Sequence, residues 1–181
     1  MINHFFENYN IDSIYMCVVG IFLSIKEIYD QMLLYALGNR VIRIGCPKCG
    51  KECMDFTIHG SYLRNVIDLV AQKDENGNTL FGKNGEAIFQ DYQAEKLKMK
   101  ITRIKCKDDG STHALLFNLV VPYGQYSLRY IVYHLHKMIH SEDSMEGYCD
   151  KHGIDVDDMQ KWIKWLEPKF PGVFVSTRRS T

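Results

Sequence analysis

Two short loops constrain this chain more than anything else in it: "CPKCGK" at 46–51 and "CKDDGST" at 106–112. A Cys-x-x-Cys turn presents two thiolates from one tight loop, and a glycine after the second cysteine lets the backbone turn sharply. The first loop has all of this in Cys46, Cys49 and Gly50. The second has Cys106 and Gly110, with a strand-like run leading into it, but Asp109 stands where its second cysteine would be. A carboxylate can ligate zinc at about 2.0–2.2 Å, less softly than a thiolate. The expected metal set is therefore Cys46, Cys49, Cys106 and Asp109, holding one zinc per chain. Cys53 and His113 are alternatives for the fourth position, and His59 is a further candidate. Against this stands a degenerate pair of loops that holds no metal, its cysteines being small buried residues.

The six cysteines (Cys17, Cys46, Cys49, Cys53, Cys106, Cys149) follow no secretory signal pattern. Clustered cysteines in such a chain point to a reducing, cytoplasmic setting and to metal rather than disulfides. A redox role is weaker, because the Cys-x-x-Cys lacks a βαβ context. No His-Glu-x-x-His pattern, phosphate loop, Ser/His/Asp set or paired-carboxylate motif is present, so no enzyme is expected.

The periodicity divides the chain into an α+β arrangement. Residues 1–40 are expected to be helical, with Ile21, Ile25, Ile28 and Met32 at helical spacing and Gly38-Asn39 as a stop. The apolar run 13–25 falls short of the roughly 20 residues a membrane span needs, so it is expected to pack in a core or between copies of a homo-oligomer. Residues 41–121 form an antiparallel β module, with 71–95 as an inserted hairpin or loop carrying the "NGN" and "KNGE" turn signals. In "KLKMKITRIKC" the alternation puts Leu97, Met99, Ile101 and Arg103 on one face and the lysines on the other.

Residues 122–168 are helical, with Ser127 as the cap of a first helix. Within them, 145–163 match a helix-turn-helix. Cys149 is the small residue that allows close packing, Gly153 supplies the turn, and Asp155 caps the second helix with Asp158 three positions on. Tyr148, Ile154, Met159 and Trp162 take the core positions. The last residues of the tail 169–181 are expected to be disordered.

Lysine and arginine total 22, as do aspartate and glutamate. Affinity for nucleic acid must then come from local features. On the second helix, Gln160, Lys161 and Lys164 are candidate DNA contacts, although Asp155, Asp157 and Asp158 would repel phosphates. On the β module, Arg64, Lys98, Lys100, Arg103 and Lys105 are candidate phosphate contacts.

Taken together, "CPKCG", "IHGSYLRNVID", "ITRIKCKDDGSTHALLFNLVVPYGQYS" and "QKWIKWLE" resemble a family of small uncharacterised bacterial proteins. These pair a zinc ribbon with a helix-turn-helix and are associated with insertion sequences. The ribbon is also similar to the amino-terminal DNA-binding part of insertion-sequence transposases. The resemblance spans 44–167 and includes His59, Gly60, Tyr62 and Arg64. It departs at Asp109, where the family has cysteine. It implies binding to double-stranded DNA, linked to transposition or its control; with fewer than 20 residues after Pro168, a nuclease domain is not expected. The alternative is a protein-interaction module or a mobile-element remnant that binds no DNA.

Overall fold

The computed structural model describes residues 25–39, 44–52, 54–83, 87–117, 119–121 and 124–168. The protein is mixed α and β. In chain order the elements are α1 (Ile25–Leu34), which runs on into a π-helical turn at Tyr35–Asn39, then β1 (Phe56–Ala71), β2 (Phe89–Cys106), β3 (Thr112–Ala114), α2 (Leu128–Ile139), α3 (Met145–His152) and α4 (Val156–Leu166). The sheet order is β1-β2-β3, and β2 pairs antiparallel with β3 through Arg103–Ala114, Ile104–His113 and Lys105–Thr112. No helix among the described residues is long and apolar enough to cross a membrane. The apolar run before Ile25, Cys53 and the tail 169–181 lie outside the described residues.

The described residues divide into two compact units. One takes 25–68 and 94–128, the other 69–93 and 129–168. The long strands β1 and β2 each contribute to both.

In the first unit, α1 buries Ile25 and Tyr29 against Val66, Met99, Ile101 and Val120. A second cluster joins Met54, Ile104 and Leu115 to Cys46 and Cys106. Each large apolar side chain hidden this way contributes about 1.5–3 kcal/mol. On β2 the alternation is regular through Met99 and Ile101, then slips by one. Ile101 and Thr102 are both buried, after which Ile104 and Cys106 are buried and Arg103 is exposed. Arg103 is exposed although Met99 and Ile101 before it are buried, because the buried side of the strand changes at Ile101–Thr102. The Thr102 N–H donates to the Tyr29 hydroxyl at 2.8 Å, and the Thr102 carbonyl accepts from Leu115 N–H at 2.9 Å, which continues the register of β2 with β3.

In the second unit, the hairpin tip between β1 and β2 is tied by the Lys73–Thr79 and Phe81–Ala87 bridges. Gly77 turns it at φ 84°. Of the hairpin or loop expected over 71–95, the described residues show a hairpin whose return arm joins β2 at Phe89. α3 starts at Ser144, whose side chain accepts from Gly147 N–H, and ends at Gly153 in the left-handed region. α4 starts at Asp155, which accepts from Asp157 N–H at 2.7 Å. Asp158 pairs with Lys161 at 3.2 Å. Tyr148, Cys149, Ile154, Met159 and Trp162 are all buried. Ser127, expected to cap α2, donates its hydroxyl to Asp68 at 2.7 Å.

Candidate metal centre

The two loops adopt the same backbone. In the first, Cys46 N–H donates to Lys51 O at 2.8 Å and Gly50 N–H to Cys46 O at 2.9 Å. In the second, Cys106 N–H donates to Ser111 O at 2.8 Å and Gly110 N–H to Cys106 O at 3.1 Å. Gly50 and Gly110 take matching left-handed φ values of 78° and 71°, where a side chain would be strained. Asp109 therefore occupies in the second loop the place Cys49 occupies in the first. The second loop is tied down by Lys107 N–H donating to Asp55 O, and Lys51 reaches across to Asp108 at 2.6 Å.

The loops bring their side chains together. Cys46, Cys49 and Cys106 have sulfurs within 4.8 Å of one another and could hold a metal ion. Cys49 and Cys106 sulfurs are 4.0 Å apart. A second set shares Cys46 and adds Asp109 and His113. Cys46 Sγ lies 3.7 Å from Asp109 Oδ2 and 3.4 Å from His113 Nε2. Cys46 and Cys106 are buried, Cys49 is exposed, and Asp109 and His113 are half-buried. His59 is exposed on β1 and belongs to neither set.

The electrostatics favour anions here. The Cys49 amide donating toward Cys46 Sγ, aided by the Lys48 amide, lowers the Cys46 thiol to about 6 against the burial that opposes it. Ser111 donates both its hydroxyl, at 2.5 Å, and its amide, at 2.8 Å, to Asp109 Oδ1, which holds that carboxyl down to about 2. At Cys106 the Asp109 amide lowers the thiol, but burial and the neighbouring Cys46 and Cys49 sulfurs outweigh it and leave it raised. Ser111 was not among the residues singled out from the sequence. An aspartate with serine two positions on is a turn-forming pair, and that was the available signal.

The candidate DNA contacts fall into three groups. Gln160, Lys161 and Lys164 are exposed on α4, with Lys161 already paired to Asp158. Arg64 is half-buried, its guanidinium donating to the carbonyls of Val121 and Gly124. Lys98, Lys100, Arg103 and Lys105 are exposed along β2, joined by Lys96 and by Lys107 just beyond it, two cations not expected from the sequence. All six side chains are exposed. Among the described residues none of the six is in an ion pair.

No family model, curated protein or solved structure matches the chain.

Proposed function

We propose that this protein is a zinc-stabilised DNA-binding module whose main DNA contact is the β2 strip. The observation that carries this reading is the run of six exposed lysines and arginines from Lys96 to Lys107, none in an ion pair among the described residues, in a chain of net charge zero. Unneutralised lysines and arginines in a row are what a phosphate backbone binds, through release of its counterions. At about 3.3 Å per residue, the row from Lys96 to Lys107 extends about 35 Å, close to one turn of duplex DNA. The pair α3–α4 has a turn suited to a helix-turn-helix. Its leading end carries Asp155, Asp157 and Asp158, so it is given the lesser part.

Zinc is supported by the donor set. Three thiols with a carboxylate or an imidazole suit a tetrahedral, borderline-soft ion. Zinc–sulfur bonds of about 2.3 Å set tetrahedral sulfurs about 3.8 Å apart, and Cys49 and Cys106 stand at 4.0 Å. The ion would pin the loop at the end of β2 and so hold the strip in shape; it has no chemical step to perform.

The test is fluorescence anisotropy of labelled duplex DNA at about 50 mM salt, beside elemental analysis of the purified protein. Saturable binding and about one zinc per chain are expected. No binding at that salt removes the DNA reading and leaves a protein-interaction module.

A further inference from the structure

We propose that Asp109 is the resident fourth ligand and that His113 is a reserve ligand, held one hydroxyl away by Ser111. This rests on the metal reading above and goes beyond it, because it assigns roles to two donors that stand at similar distances from the same sulfur. Asp109 Oδ2 and His113 Nε2 lie 3.7 and 3.4 Å from Cys46 Sγ. Both suit the edge of a tetrahedron with one sulfur and one lighter donor, about 3.5 Å for the bond lengths of zinc. Distance alone does not choose between them.

The choice follows from counting protons on Ser111. Its oxygen lies 2.5 Å from Asp109 Oδ1 and 2.7 Å from His113 Nε2, and a hydroxyl has one proton to give. A carboxylate has only acceptors, so the Ser111 proton goes to Asp109. The contact to His113 is then made by a proton on Nε2, and a nitrogen that carries a proton has no lone pair for a metal. Asp109 is prepared in the opposite sense. Oδ1 is satisfied by the Ser111 hydroxyl and amide, which fixes the carboxylate and leaves Oδ2 toward Cys46. Asp109 also stands at the loop position of the missing cysteine, where the backbone already aims a ligand at the ion. Ser111 thus acts as an outer partner that orients the ligand, as second-shell groups do in metal sites.

Removing either Asp109 or the serine hydroxyl frees Nε2. The imidazole then has a route to the ion, which exchanges an oxygen donor for a nitrogen donor without loss of the three thiolates. The same geometry makes the fourth bond the weakest of the set, because a carboxylate oxygen replaces the thiolate that a complete second loop would supply.

The experiment is Co2+ titration of the full chain, read by its visible absorption, with chelator competition for affinity and circular dichroism for fold. His113→Ala is expected to keep the wild-type spectrum and one ion per chain. Asp109→Ala is expected to keep one ion with a shifted spectrum, and Ser111→Ala to move toward that shifted spectrum. Asp109→Ala with His113→Ala should weaken binding by about tenfold or more, as the loss of a supporting or direct ligand does. A spectrum that changes in His113→Ala and not in Asp109→Ala makes histidine the resident ligand and overturns the assignment. Spectra unchanged in every folded variant mean that neither residue binds, which overturns it too. A wild-type chain that takes up neither Co2+ nor Zn2+ removes the metal reading itself, a result distinct from both.

Discussion

The DNA reading stands or falls on salt. Each phosphate neutralised by a lysine or arginine lowers log K by about 0.9 per decade of salt on duplex DNA. Six contacts from Lys96, Lys98, Lys100, Arg103, Lys105 and Lys107, all exposed, give a slope of about −5. Between 50 and 200 mM salt, affinity should then fall by about a thousandfold. The triple variant Lys98→Gln, Lys100→Gln, Lys105→Gln removes three of the six and should bring the slope to about −3. These side chains touch no core residue, so urea unfolding should change by no more than about 0.5 kcal/mol. Lys161→Gln with Lys164→Gln serves as the contrast and should leave most of the slope in place. Anisotropy of one labelled duplex across a salt series measures all three proteins. A flat salt response, or a slope carried by the α4 pair and untouched by the triple change, refutes the assignment of the surface to β2.

Three further predictions concern the scaffold. His134 is buried, and burial, with His152 beside it, holds its imidazole down at about 3, below the ordinary 6.5. The unfolded chain then binds a proton that the folded chain refuses. This contribution is complete above about pH 6.5 and is lost as pH falls toward 3, by up to about 1.4 kcal/mol per pH unit; urea midpoints from pH 7.5 to 4.5 should show a steeper decline in the wild type than in His134→Gln. Tyr29→Phe leaves the buried Thr102 N–H without its acceptor and should cost about 1–3 kcal/mol by chemical denaturation. Gly110→Ala meets nothing nearer than the end of Lys105, at 3.9 Å, but must hold φ at 71°, so a loss of about 1–2 kcal/mol is expected from backbone strain alone.

The sequence signals that held are the local ones. "CPKCG" and Gly110 marked two loops, and the structure gives both the same turn. Gly153 and Asp155 marked the end of one helix and the start of the next, because left-handed glycine and an aspartate cap are short-range devices. The misses arise where a distant residue decides. Alternation grouped Arg103 with Met99 and Ile101, but beyond Ile101 the buried side chains are Thr102, Ile104 and Cys106, and nothing near Thr102 in sequence reveals that Tyr29, far upstream, takes its N–H. The contact of Ser127 with Asp68, a buried carboxylate on β1, was not foreseen. The role of Ser111 was hidden for a different reason: a serine near a loop is common, and only the folded turn brings Asp109 and His113, two residues to either side, onto its one hydroxyl.

The matching loops also bear on the chain before it folds. An ion gripping Cys46 and Cys106 acts as a removable crosslink that closes a circuit of about 60 residues. By the polymer estimate used for disulfides, such a closure takes about 4 kcal/mol of freedom from the unfolded chain. That figure depends only weakly on the length enclosed, since doubling a loop changes it by about 0.6 kcal/mol. The hairpin tip between β1 and β2 lies within that circuit. It is free to lengthen or shorten with little thermodynamic consequence, while the clasp that joins the circuit's ends tolerates almost no change.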